Sequence, residues 1–386
     1  DTISYDLFHN KFVVLKPIGS APAKKQEFPH FFTDSDEVEL VSAIRANHKV
    51  SGVQRRHVID GLLLHRKFSN FDPLRDKIEA LAGQWDGKAR LDTALQNYFG
   101  ANEDPRYLKM IFSKFLISAI ARALSPGIKV DHMLIVEATQ GLGKDLAFQA
   151  LVSAIDADYY GDNLPNDVGS KDALMYLHAG NHIVHASELT QMRWSNREQY
   201  KSFLTRQVDS FRGPYEKAYV DYPRRCVFVG STNEQFFLQD DSGSRRFWPT
   251  KAEKIDVDRL AADAFQLWSE AYDRYIDGEA WWPEVEQERE LAQDAAEDRR
   301  MTHPWVPAIF AELQEKGRTA IATEGVQTKD FIGEHRRLQI SPGNQNIGHS
   351  TRIGEILCRE FRFVKKKSNG KLIFWPTQRS FEILDM

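Results

Sequence analysis

Cysteine is almost absent from this sequence: Cys226 and Cys358 are the only two in 386 residues. They are far apart and neither has metal-ligand spacing around it, so no disulfide framework or zinc site is written here, and a reducing cytosol is expected. Long apolar runs are missing as well. None reaches the roughly 18–20 residues of a membrane helix, and the N-terminus has no leader-like pattern, so neither a membrane span nor secretion is expected. Excess positive charge is also lacking. With a net charge of −4, any nucleic-acid binding has to come from local basic surface. Internal repeats and low-complexity tracts are absent. The chain starts at Asp1 rather than Met, which suggests a piece of a longer product or trimmed termini. What remains, 42% apolar and 27% charged residues, is the composition of a globular protein of two or three domains.

The stretch that organises the chain is Met133 to Asp145, MLIVEATQGLGKD. Met133 to Val136 has the length of a buried strand, a Gly-containing turn follows, and from Lys144 the apolar spacing is helical. Strand, Gly-rich loop, Lys and helix form the layout of a phosphate-binding loop. The N–H groups of the loop around Gly141 and Gly143 cradle phosphate oxygens, and Lys144 reaches the terminal phosphates. Two positions depart from G-x-x-x-x-G-K-[ST]: Ala138 replaces the first Gly, and Asp145 stands where a hydroxyl meets Mg²⁺. The plain alternative is a strand–turn–helix that merely resembles such a loop.

Around this stretch the chain divides as follows. Residues 1–35 read as an irregular arm with a strand-like piece at Phe12 to Leu15. Residues 36–125 read as a helical domain, with Asp36, Asp72 and Asp104 as N-caps. An α/β core spans 126–255, helices extend it over 256–303, and 304–386 is a last module. Within the core, NHIVHASEL ends a second strand near Glu188, a carboxylate suited to polarising water or holding Mg²⁺. RCVFVG is a third strand, ending near Asn233, which can bond the water or the γ-phosphate. Arg245 and Arg246 lie on a Gly-containing loop and suit an arginine finger supplied to a neighbouring subunit. Taken singly, each of these pieces is equally well sheet core or surface charge.

The strings from Phe71 to Trp305, above all SELTQMRWSNREQYKSFLTRQVDSFRGPYEKAYVDYPRRCVFVGSTNEQFFLQDDSGSRRFWPT, resemble the virulence-associated protein E family of phage and plasmid replication proteins. These are ATPases related to superfamily 3 helicases of the AAA+ class. The resemblance implies an α/β AAA+ P-loop core and a ring, usually hexameric, with ATP and Mg²⁺ between subunits and single-stranded DNA in the channel. It implies Lys144 on phosphate, Glu188 as the acid, Asn233 as sensor and Arg245 or Arg246 as finger. A hairpin at Phe211 to Tyr222 is expected to meet DNA through Lys217 and Tyr215 or Tyr219; packing through its own tyrosines is the alternative. Lys201, Arg206 and Arg212 lie in KSFLTRQVDSFR, which reads as a helix leading into it, as phosphate or subunit contacts or as ion-pair partners of Asp209 or Glu198. The setting implied is the cytoplasm of a bacterial host, with forked duplex DNA and a primase or polymerase domain or protein as further partners.

Against that family pattern, His185 stands where a Glu precedes Glu188 by three residues, so both departures strike the metal side. At about 4 Å and an effective dielectric near 20, Asp145 repels a phosphate charge by roughly 4 kcal/mol, about a thousandfold in affinity. Three accounts stay open: an impaired site; Asp145 joining Glu188 as a metal ligand, with His185 turned away or bonded to it; or an introduced change at Asp145. The functional expectation is an ATP-dependent replicative DNA helicase or translocase. Its rivals are a non-catalytic DNA-binding scaffold ring and a nucleotide-gated switch. In the last module, RFVKKKSNGKLIFW reads as a hairpin after short helices, the outline of a winged helix. Lys365, Lys366, Lys367 and Lys371 flank its turn, where a wing touches a DNA backbone, and Thr351 to Ile353 open the recognition helix. Edge protection is the other use of such lysines.

Overall fold

The computed structural model describes residues 1–19, 27–162, 164–165, 167–186, 202–213, 218–233, 246–299, 305–333, 336–338, 340, 347–368 and 371–384. Two compact units divide at residue 300, one of residues 1–300 and one of 301–386.

The first unit opens on strands, not on an irregular arm. β1 (Ile3–Asp6), β2 (Lys11–Val14) and β3 (His30–Phe31) are joined by β4 (Asn70–Phe71), in the order β3-β2-β1-β4. Val14 is fully buried in a cluster with Ile3, Val41, Val58 and Leu62, the last three from α1 (Asp34–His48) and α2 (Arg55–His65). That small core holds the arm down. Thr33, not Asp36, caps α1: its side chain accepts from Asp36 N, and the Asp36 carboxylate takes the Thr33 N–H at 2.7 Å, the reciprocal capping box. Asp72 and Asp104 do cap α3 (Pro73–Glu79) and α5 (Pro105–Leu124), each with Pro at the first turn. Between them lies α4 (Ala94–Phe99). α5 is apolar nearly all round and correspondingly buried on nearly all faces.

A parallel five-stranded sheet forms the centre of this unit. Its strands are β5 (Met133–Glu137), β6 (Tyr160–Gly161), β7 (Ile183–Ala186), β10 (Val227–Thr232) and β11 (Phe247–Lys251), in the order β11-β5-β10-β7-β6. The fold is therefore α/β. Leu134 and Val136 enter one core with Phe112, Phe148 and Trp268; Met133 and Ile135 enter the other with Val184, Phe203 and Phe228. Alternate side chains are buried on both faces, so a parallel strand reads as an unbroken apolar run. Helices α6 (Lys144–Ser153), α7 (Lys171–Leu177), α8 (Val257–Ile276) and α9 (Glu286–Asp298) belong to the same unit. An antiparallel hairpin of β8 (Val208–Phe211) and β9 (Val220–Pro223) stands apart from the sheet.

The second unit holds α10 (Val306–Lys316), α11 (Arg318–Glu324), a short 3₁₀ turn at Thr328–Phe331 and α12 (Ile347–Arg359). The antiparallel pair β12 (Val364–Ser368) and β13 (Lys371–Trp375) and then α13 (Gln378–Ile383) close it. Val326 exchanges both backbone hydrogen bonds with Phe374, at 2.9 and 2.8 Å, a single bridge on the edge of β13 away from β12. Ile309, Ile353, Leu357 and Phe374 share its core. TKDFIGEHRR gives the 3₁₀ turn, with 334–335 outside the described residues.

Candidate functional site

The C-terminal ends of β5, β7 and β10 converge, as ligand-binding crevices of open α/β sheets do. The loop after β5 turns through Gly141 (φ 83°) and Gly143 (φ 90°), left-handed conformations that suit glycine. Ala147 N–H is the first to bond back, to Gly143 O at 2.9 Å. The amides of Lys144, Asp145 and Leu146 therefore have no acceptor within α6, the ordinary condition of a helix N-terminus and one that favours anions.

Lys144 and Asn233, distant in sequence, meet here. Lys144 Nζ donates to Asn233 Oδ1 and to Ala138 O, each at 2.6 Å, and more weakly to Thr139 O at 3.4 Å. Asn233 can take this place because it directly follows β10, whose Thr232 lies level with Glu137. Burial pushes the Lys144 ammonium below the usual lysine range, and Asp145 pulls against that shift.

His185, buried on β7, has both ring nitrogens engaged: Nδ1 with Tyr160 Oη at 2.8 Å and Nε2 with Ser231 Oγ at 3.0 Å. Asp145 Oδ1 lies 3.6 Å from the same Nδ1, beyond hydrogen-bond length. The ring is thus neither rotated away nor bonded to Asp145. Burial pushes its pKa down, with Asp145 and Asp162 opposing. No sequence signal pointed to Tyr160 or Ser231 as its partners.

Glu137, at the root of the loop, was also missed. Arg299 Nε donates to its Oε1 at 2.7 Å, and a second guanidinium nitrogen donates to Glu103 at 2.7 Å. Glu103 in turn accepts from Lys251 N at 2.7 Å, so the cluster ties the ends of β5 and β11 together. Burial raises the Glu137 carboxyl despite Arg299; the same burial disfavours the Arg299 charge, but Glu137 and Glu103 more than offset it.

Other expected residues are scattered. Arg246 immediately precedes β11, whose Phe247 pairs with Met133. That is the far end of the sheet, about 13 Å from the level of Glu137 at roughly 3.3 Å per residue. Glu188, Arg245, Tyr215, Lys217, Lys201 and Glu198 lie outside the described residues. The β8–β9 hairpin begins at Val208, before the expected Phe211, so its first strand takes up residues read as leading into it. Tyr222 stacks on Phe211 at 4.3 Å, whereas Tyr219 is 75% exposed. Its base is rooted by buried Asp209, which takes two bonds from Arg224 (2.7 and 2.9 Å) and one from His178 (3.1 Å); Arg206 stands 3.7 Å away. Burial alone would raise the Asp209 carboxyl, but those partners hold it below the usual carboxylate range. In the second unit Lys365, Lys366, Lys367 and Lys371 are exposed, with no acidic partner among the described residues. Among the described residues no group of three or more His, Cys, Asp or Glu gathers around a metal position, and no helix is long and apolar enough to cross a membrane.

Residues 78–301 match the virulence-associated protein E-like domain, more than half of the chain. The chain belongs to this family. No curated protein matches it. Among solved structures, this family member is similar to the apo structure of the NrS-1 C-terminal region (305–718), with a TM-score of 0.50 and 13% identity over 96% of this chain and 94% of that one. A second apo structure of that region has a TM-score of 0.47 at 14% identity, covering 96% and 95%. At such identities the likeness concerns the fold. β5 and the loop after it, β7, β10 and the hairpin of this virulence-associated protein E-like chain all lie within the matched residues.

Proposed function

We propose that this chain is a nucleotide-dependent replication protein: an AAA+ ATPase of superfamily 3 helicase type that assembles as a ring, a hexamer in the simplest case, on single-stranded or forked duplex DNA. The observation that carries the reading is the Lys144–Asn233 contact at the carboxyl end of a parallel sheet. In order of appearance the strands run fifth-first-fourth-third-second, so the first and fourth are neighbours and bring loop and Asn together. The loop amides and Lys144 suit the phosphates of ATP, and Asn233 stands where it can release Lys144 and meet the γ-phosphate. Mg²⁺, with Asp145 and Glu188 as its expected ligands, would neutralise phosphate charge. The fit is poorer on that side, because Asp145 carries charge where a hydroxyl is usual.

The remaining assignments rest on the sequence resemblance to the family. Glu188 orients the attacking water. Arg246, at the far end of the sheet from Lys144, cannot serve its own nucleotide and suits a neighbour's, as does Arg245. The hairpin contacts DNA through Lys217 and through Tyr215 or Tyr219. The second unit reads as a winged helix, since helix, bridge, 3₁₀ turn, helix and hairpin follow in that order, with Lys365, Lys366, Lys367 and Lys371 at the wing. A primase or polymerase, in the same product or a separate one, is the expected partner.

Asp145 and His185 favour a second reading, a DNA-binding scaffold ring without turnover. Steady-state ATP hydrolysis with and without single-stranded DNA tests the two, using the natural chain, Lys144→Ala, and Asp145→Ser combined with His185→Glu. DNA-stimulated hydrolysis that Lys144→Ala abolishes supports the motor. Turnover only in the double substitution supports the scaffold. No turnover in any assembled ring refutes the catalytic assignments.

A further inference from the structure

The side of the site that departs from the phosphate-loop pattern holds two donors close together. His185 is 1% exposed and sits with its Nδ1 3.6 Å from Asp145 Oδ1, while the Asp145 side chain is 70% exposed. Two donor atoms on one cation, each at about 2.1 Å and roughly 90–110° apart, stand about 3.0–3.5 Å from one another. The observed gap is close to that bite. Ser231 completes the arrangement. Nε2 lies 3.0 Å from its hydroxyl; in the tautomer that donates this hydrogen bond, the lone pair left on the ring is that of Nδ1, the nitrogen nearer Asp145. Metal-ligating histidines hold their second nitrogen in this way. The Tyr160 hydroxyl, 2.8 Å from Nδ1, occupies that lone pair here and is the group an ion would displace.

We propose that Asp145 and His185 form a two-ligand site for a first-row divalent transition ion, which enters with the nucleotide in place of Mg²⁺. Phosphate oxygens and water fill its remaining positions. Mg²⁺ takes oxygen ligands almost exclusively, whereas Mn²⁺, Co²⁺ and Zn²⁺ accept imidazole beside carboxylate. The same ion offsets the repulsion between Asp145 and the phosphates, so both departures from the family pattern acquire one explanation. The proposal rests on reading this loop as a nucleotide site, and the test separates the two.

The test uses the full chain with ADP and either Mn²⁺ or Mg²⁺ as the sole divalent ion. Calorimetry gives the affinities, and electron spin-echo envelope modulation of the Mn²⁺–ADP complex reports coordinated nitrogen. Labelling the protein alone with ¹⁵N separates its nitrogen from that of adenine. Expected are Mn²⁺–ADP binding at least roughly tenfold tighter than Mg²⁺–ADP and a nitrogen modulation that switches to the ¹⁵N pattern with the labelled protein. In Asp145→Asn the Mn²⁺ preference should shrink, and in His185→Gln the modulation should vanish. A Mn²⁺–ADP complex without protein nitrogen on the ion overturns the proposal and leaves the nucleotide site standing. Absence of ADP binding with either ion overturns both.

Discussion

Replacing Asp145 with Asn isolates the charge that most distinguishes the proposed phosphate loop. The carboxylate lies in the first turn of α6, beside amides free to meet a phosphate, and its side chain is 70% exposed. Exposure decides the magnitude. At 4 Å two unit charges repel by about 4 kcal/mol at an effective dielectric of 20, but by only about 1 kcal/mol in water. For a group this open the value lies toward the watery limit, about 1–2 kcal/mol. The thousandfold penalty reckoned from sequence thus contracts to roughly five- to thirtyfold. His185 does not soften it, since burial keeps that ring neutral at pH 7. Metal-free binding of a fluorescent ADP analogue, in excess chelator at neutral pH, is the measurement. Asp145→Asn should bind about five- to thirtyfold more tightly than the natural chain, at a stability cost within about 1 kcal/mol for losing an acid at a helix N-terminus. Equal affinities would refute the reasoning, because the carboxylate would then not face the phosphates.

Two further predictions concern other parts of the chain. Burial lowers the pKa of His132 to about 3 and of His182 to about 4, so the unfolded chain binds more protons below pH 6.5 and stability falls as pH drops; at pH 5 the loss is about 2 kcal/mol per histidine. Urea melts at pH 7 and 5 should show it, with His132→Phe, which preserves the stack on Trp248 at 3.8 Å, removing one share. Changing Lys365, Lys366 and Lys367 together to Ala should lower the salt dependence of duplex binding by about 2.7 in log–log slope if each meets a phosphate, while melting stays unchanged because all three are exposed.

The sequence showed strands best where both faces are buried. Met133 to Val136, Ile183-Val184 and the run ending at Gly230 stand out because alternate residues fill two cores, leaving nothing polar to break the pattern. β11 offers no such unbroken run, since FWPTK carries Pro249; the strand tolerates it at the edge of the sheet, where a missing N–H is harmless. β3, β4 and β6 are two residues long and leave no periodicity to detect. The same limit applied to the site. Lys144, Asp145, Gly141 and Gly143 are contiguous and legible, and Asn233 follows from a strand end. Tyr160, Ser231 and Arg299 reach the loop only through sheet order and helix packing, separations of sequence that local pattern does not encode.

Arg299 has a practical consequence for dividing the chain. The acidic surface of α9 makes that helix look expendable, and a fragment ending within it would seem to keep every strand of the sheet. Such a truncation would remove the guanidinium that neutralises Glu137 and leave a buried carboxylate at the root of the loop after β5, a loss of about 3–5 kcal/mol. The shortest autonomous piece worth expressing therefore extends through Arg299, although this residue lies beyond every strand of the sheet it secures.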